Sequence, residues 1–206
     1  MSETGTGAVG LRERKRQRMY GNVSDIAIRL FLEKGFDAVS VAEIAAAAEI
    51  SKPTLFRYFP TKEDLVLHRF ADHEGEAARV VAGQERPLLA LRRHFLDGLE
   101  RCDPVTGLSE EPAVLAFTSL VYGTPSLAAG LYGYLERSET ALAEALGGGL
   151  EARLAAGQII AVQRILALDN WRRIADGERV AQVRAEAVAA AERAFGQLAA
   201  GLPHLA

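Results

Sequence analysis

An all-α fold follows from three observations on this 206-residue chain. Apolar residues recur at a spacing near 3.6 almost throughout, the alternation of a strand is absent, and caps, prolines and glycines fall where helices would start and stop. The first clear start is Ser40 with Glu43, a pair that can satisfy two orphan N–H groups of a first turn. Ser51 opens a second short helix, with Pro53 tolerated because no intrahelical partner is needed there. Pro60 ends it, and Thr61 with Asp64 opens a third helix expected to run to about Val81. Pro87 begins the next, with Leu88, Leu91, Phe95 and Leu99 on one side. After a polar loop from Cys102 to Glu111 come helices over Pro112–Tyr122 and from Thr124 and Pro125 to Leu146, the latter closed by Gly147, Gly148 and Gly149. The two longest follow, Leu150–Asp176 before Gly177 and Glu178–Ala200 before Gly201 and Pro203.

The segment from Ser40 to Asp64 carries the most information. Ile44, Ala45 and Ala48 share one face of its first helix, Ile50 plugs the turn, and Leu55 and Phe59 give the second helix an inward stripe. Lys52, Thr54, Arg57 and Tyr58 then fall outward near a helix N-terminus, where N–H groups and partial positive charge suit phosphate. This is the layout of a helix-turn-helix DNA reader, and equally that of an ordinary crossing in a helical domain. Periodicity alone leaves both open.

Charge is uneven. The whole chain is formally −3. Residues 1–70 hold 11 basic and 9 acidic side chains, whereas the remainder holds 13 and 18. Five bases, Arg12, Arg14, Lys15, Arg16 and Arg18, crowd one decapeptide against the single acid Glu13. Such a run is often only a solvated tail. Directly before a helix-turn-helix it can neutralise phosphates or enter a minor groove. Gly21 and Asn22 interrupt it, which predicts a flexible basic arm over 1–20.

The segment resembles the DNA-binding domain of the TetR family of transcriptional regulators. Ile44, Ala45, Ala48, Ile50, Ser51, Thr54, Leu55, Phe56, Tyr58, Phe59, Lys62, Glu63, Asp64 and Leu65 carry the match, with Ala27, Leu30, Phe31, Gly35 and Phe36 upstream. It covers roughly residues 12–70, a third of the chain. One departure is Glu49, where the family usually has glycine; a turn needing positive φ costs another residue about 1 kcal/mol. The resemblance implies a three-helix DNA-binding domain over 21–70 and a helical ligand-binding and dimerisation domain over 71–206. It implies contacts to double-stranded DNA from Arg14, Arg16, Arg18, Ser40, Ser51, Lys52, Pro53, Thr54, Arg57, Tyr58 and Lys62. Lys52, Lys62 and the serines would meet phosphates, Tyr58 the sugar-phosphate backbone, and Pro53, Thr54 and Arg57 base edges.

The last two long helices are apolar over a wide arc, with Ile159, Val162 and Leu166 on one and Ala187, Ala191 and Ala194 on the other. A buried intramolecular pair would look the same. The resemblance favours a homodimer interface there, hence a palindromic operator. Phe95, Leu99, Phe117, Tyr122, Tyr132 and Trp171 are each better read singly as core. Together, with a ligand-gated family in view, they imply a pocket for a hydrophobic or amphipathic small-molecule effector. Binding there would shift the dimer away from its operator, making repression the default expectation.

No zinc-binding His-Glu-x-x-His, no phosphate-cradling glycine loop and no nucleophile elbow is present, so no enzyme, metal or cofactor is expected. His68 and His73 are five apart and do not share a helix face. No apolar run reaches membrane-spanning length, and the N-terminus lacks the apolar core of a signal peptide. The single Cys102 forbids an internal disulfide and fits a reducing cytoplasm. The rival readings are a helical interaction or enzyme domain, and a DNA-binding regulator controlled by a protein partner.

Overall fold

The computed structural model describes the backbone of residues 6–206 and the side chains of 18–71 and 73–206. The described residues form ten α-helices and three 3-10 segments without a strand, in two compact units. Among the described residues, the first unit runs to Ala71 and takes in 119–131, and the second holds 72–118 and 132–206. The return of 119–131 to the first unit is not part of the boundary drawn from sequence.

The first unit is built on α1 (Thr6–Lys34), α2 (Val41–Ala47), α3 (Lys52–Tyr58) and α4 (Asp64–Leu67). Helix α1 runs unbroken through Gly21 and Asn22, so the backbone of the basic stretch is helical where an interruption was expected. The helix ends at Gly35, whose φ of 88° only glycine adopts cheaply. Val23, Ala27 and Phe31 of α1 enter a core with Phe36, Ile44, Leu55, Phe59 and Leu65. Buried Ser24 donates its hydroxyl to the Leu65 carbonyl at 2.6 Å, satisfying both groups away from water. At Gly130 a Cβ would come within 2.5 Å of the Leu67 Cδ1 atom.

The expected helix from Thr61 to Val81 is instead three pieces: α4, a 3-10 helix over His68–His73, and α5 (Glu76–Val81). The Thr61–Asp64 pair forms as expected, but α4 itself starts at Asp64 with Glu63 as its N-cap. Thr61 N–H donates to Asp64 at 2.8 Å, and Asp64 N–H donates back to the Thr61 hydroxyl at 3.2 Å. The His68 ring stacks on Tyr20 at 5.1 Å, and a tighter 3-10 winding occupies the stretch that follows.

The second unit contains α5, α6 (Pro87–Glu100), the start of α7 (Pro112–Gly123), most of α8 (Pro125–Ala145), α9 (Gly149–Ala175) and α10 (Val180–Gly201). Leu88, Leu91, Phe95 and Leu99 of α6 are buried as their spacing predicts. They meet Val183, Ala187, Ala191, Phe195 and Leu198 of α10, which recur every four or three residues. Burying one such leucine or phenylalanine contributes about 1.5–3 kcal/mol. Arg92 Nε donates to Glu192 at 2.7 Å along the same helix pair.

Helix α9 is fixed by a turn of 3-10 helix over Pro104–Thr106. The buried Asn170 amide donates to the Thr106 carbonyl at 2.9 Å. Gly107, at φ 75°, lies so close to α9 that a Cβ would fall 1.9 Å from the Ala167 carbonyl oxygen. Cys102 takes a positive φ of 54°, is partly exposed, and accepts a hydrogen bond from Arg184 at 2.8 Å. Gly147, Gly148 and Gly149 all adopt positive φ; the first two lie between α8 and α9, and α9 begins at Gly149, one residue before the expected Leu150.

Two groups of sequence expectations are corrected here. Ile159, Ala187 and Ala191, expected at a dimer interface, are 0%, 4% and 0% exposed and form the unit's own core. Val162, Leu166 and Ala194 are half-buried beside it. What α9 leaves outside is Leu150, Leu154 and Ile165, spaced to share a face and 70%, 59% and 55% exposed. Of the expected pocket, Phe95 and Leu99 are core, Phe117 and Trp171 are half-buried, and Tyr122 belongs to the first unit. Tyr132 is 70% exposed and lines a cleft of about 320 Å³ with Leu135, Glu139, Ile160 and Arg164. No single described helix is long and apolar enough to cross a membrane.

Candidate nucleic-acid interface

The turn between α2 and α3 is closed by backbone bonds. Ala48 N–H donates to Ile44, Glu49 N–H to Ala46 and Ile50 N–H to Ala45, at 2.9, 3.1 and 3.0 Å. Glu49 sits at φ 55°, in the left-handed region that glycine adopts most cheaply. Glu49→Gly is therefore expected to stabilise the protein by up to about 1 kcal/mol. A denaturant midpoint that rises at unchanged slope would show it, and a fall would mean that the Glu49 side chain contributes more than its backbone strain costs.

Both helices of the motif carry their caps. The Ser40 hydroxyl accepts the Glu43 N–H at 3.2 Å, while the Glu43 carboxylate pairs with Lys34. That hydrogen bond outweighs burial and holds the carboxylate below its usual range. The Ser51 hydroxyl accepts the Thr54 N–H at 3.3 Å and lies 2.8 Å from the Thr54 hydroxyl. Thr54 is half-buried, and its hydroxyl is used locally to brace the cap.

Leu55 and Phe59 of this motif are 1% and 2% exposed, which turns Lys52, Pro53, Phe56 and Arg57 outward together. These four, spaced one, three and one apart, form a single face at the start of a helix. Sequence reasoning missed Phe56, reading it only as part of the family match. Its signal was the spacing, four after Lys52 and three after Pro53, opposite the inward stripe. At 47% exposure its ring is free to meet an apolar surface such as a thymine methyl.

Two expected contacts sit differently. Tyr58 is half-buried, its ring set edge-on to Tyr20 at 5.1 Å, and its oxygen accepts from Arg57 at 3.3 Å. The Arg57 guanidinium lies 5.0 Å over the Tyr58 ring, a cation–π arrangement. Lys62 turns inward. Its ammonium donates to the Phe36 carbonyl and lies over the Phe36 and Phe31 rings at 4.4 and 5.3 Å. A carbonyl and two ring faces there give the cation partners inside the unit, so Lys62 clamps the end of α1 rather than reaching outward. Arg18 is exposed, and the side chains of Arg14 and Arg16 lie outside the described residues.

The chain is similar to known proteins in sequence and in fold. The family model for bacterial regulatory proteins of the tetR family matches residues 24–68. The transcriptional regulator TcmR of Streptomyces glaucescens is 33% identical over 165 residues, which are 78% of this chain and 67% of that protein. A putative TetR-family transcriptional regulator from Mesorhizobium loti superposes with a TM-score of 0.57 at 19% identity, over 90% of this chain and 96% of that one. SmeT, repressor of a Stenotrophomonas maltophilia multidrug efflux pump, superposes in its complex with triclosan with a TM-score of 0.56 at 13% identity, over 89% and 91%. At these identities the two structures establish a common fold.

Proposed function

This chain belongs to the TetR family of bacterial regulatory proteins, a DNA-binding transcriptional regulator rather than an enzyme, and from that membership we propose how it acts. It is a homodimeric repressor of the cytoplasm that holds a palindromic operator and releases it when a hydrophobic or amphipathic small molecule binds. The observation that carries the DNA contact is the outward face of Lys52, Pro53, Phe56 and Arg57, backed by fully buried Leu55.

Within that reading Lys52 meets phosphate, as do Ser40 and Ser51 through the helix starts they cap. Arg57 swings from the Tyr58 ring toward a guanine edge, and Pro53 and Phe56 offer apolar contact to thymine methyls. Thr54 and Tyr58 support α3 from its sides, and Arg14, Arg16 and Arg18 follow the phosphate backbone. The exposed Leu150, Leu154 and Ile165 of α9 supply the apolar face for a second copy, which would set two α3 helices in two-fold symmetry.

The cleft beside Tyr132 supports an amphipathic effector, because Leu135 and Ile160 offer apolar contact while Glu139 and Arg164 offer polar partners. SmeT, a protein of the same fold, has been solved with triclosan. A tenfold loss of operator affinity needs only about 1.4 kcal/mol of differential ligand binding between two dimer geometries. The test is selection of bound duplexes from random DNA at near-physiological salt. An enriched palindrome is the expected result. Binding without enrichment that vanishes as salt rises would leave only phosphate contacts and sink the operator reading.

A further inference from the structure

The cleft beside Tyr132 lies wholly within the second unit, with α8 as one wall and α9 as the other. Tyr132, Leu135, Glu136 and Glu139 share one face of α8 by their spacing, and Ile160 and Arg164 come from α9. One wall is therefore acidic and the other basic. Among the described residues, no hydrogen bond or ion pair engages the carboxylates of Glu136 and Glu139 or the guanidinium of Arg164. Elsewhere in the unit Arg92, Arg137 and Arg173 each hold a glutamate. Glu139 and Arg164 are nonetheless half-buried, and a charge drawn partly out of water without a partner is costly.

The two charges are set apart along α9. Oε2 of Glu139 lies 3.9 Å from the place a Cβ at Gly157 would take. Arg164 stands seven residues further along that helix, an axial rise of about 10 Å. Gly157, Ala161 and Arg164 recur at four and three, so small residues occupy the face between the carboxylate and the guanidinium. Leu135 and Ile160 make the space between them apolar, and the Tyr132 ring stands exposed at its rim. At about 320 Å³ the cleft is large enough for a small molecule.

We propose that this cleft takes a zwitterionic amphiphile, a molecule with an ammonium and a carboxylate at opposite ends of a short apolar chain; the proposal rests on reading the cleft as the effector site. The ammonium donates to Glu139, with Glu136 adding negative charge on the same wall. The carboxylate accepts from Arg164, and the chain between them lies on Leu135 and Ile160. Hydrogen bonds between ions are about twice as strong as neutral ones, and the partial exposure of both ends keeps each to a modest factor. A purely cationic amphiphile would leave Arg164 without a partner, and a purely anionic one would face two carboxylates.

The test is calorimetric titration of the full chain with three eight-carbon probes, 8-aminooctanoate, octylamine and octanoate. The zwitterion is expected to bind about tenfold more tightly than either singly charged probe. Glu139→Gln should weaken 8-aminooctanoate and octylamine about tenfold and spare octanoate, whereas Arg164→Gln should weaken 8-aminooctanoate and octanoate and spare octylamine. Equal affinity for the three probes, no binding of 8-aminooctanoate, or binding that neither substitution weakens would each overturn the proposal. Should a variant fail to fold, the ranking of the three probes on the wild-type chain decides alone. No DNA is present in these titrations. A zwitterion that binds with this charge pattern yet leaves operator DNA bound upholds the site and overturns only the effector reading.

Discussion

Gly107→Ala is expected to destabilise the protein by about 3 kcal/mol or more, because two penalties fall on one methyl group. The φ of 75° costs an L-residue about 1–2 kcal/mol. The methyl would also stand 1.9 Å from the Ala167 carbonyl oxygen and 2.8 Å from its carbon, inside any allowed contact, so α9 must move away from the turn. That movement strains the buried Asn170 bond to the Thr106 carbonyl, and a buried polar group that loses its partner is costly. In a chain of this size the melting temperature should fall by roughly 10 °C. Gly177→Ala is the matched control, since Gly177 has a φ of 96° with nothing within 4 Å of its Cβ position. It isolates the backbone penalty. Equal losses from the two substitutions would show that α9 does not press on Gly107.

Operator affinity is expected to fall on the order of 100-fold when Lys52→Ala and Arg57→Ala are combined, with folding stability unchanged within about 0.5 kcal/mol. Both side chains are exposed on the outward face of α3, opposite Leu55, so their removal opens no cavity. On the proposed role of Lys52 at a phosphate, its loss should also lower the slope of log affinity against log salt by about one. Tyr58 is a poorer probe, because its ring packs against Tyr20 and its loss would disturb the fold itself. An unaltered affinity and salt slope in the double variant would remove this face of α3 from the interface.

The parts of this molecule that were legible in the sequence are those decided by neighbours along the chain. Ser51 places its helix start, and Thr61 and Asp64 exchange their expected bonds just ahead of α4, because each needs only a side chain and an N–H three residues away. The α6 stripe was legible for the same reason, its four apolar residues repeating within one helix. Lys62 was not, since its partner is a carbonyl at Phe36, twenty-six positions back, and a lysine after a helix-turn-helix looks outward on charge alone. Nor was the division of α9 between inside and outside. A helix apolar on several sides does not reveal which arc its own domain covers, and only the tertiary fold turned Ile159 inward and Ile165 outward. Phe56 was overlooked because an aromatic residue beside two core residues resembles core. Gly107 lay unremarked in a polar loop, its importance set by a helix sixty residues later.

Gly107 and Gly130 are both crowded, yet they differ in what evolution could repair. An alanine at Gly130 would collide with the tip of Leu67, and a shorter residue at position 67 could make room for it. At Gly107 the obstacle is a main-chain oxygen, which every amino acid at position 167 would present in the same place. No second substitution at the point of contact can therefore act as a suppressor. Position 130 can drift in company with its neighbour, whereas position 107 has no neighbour with which to drift.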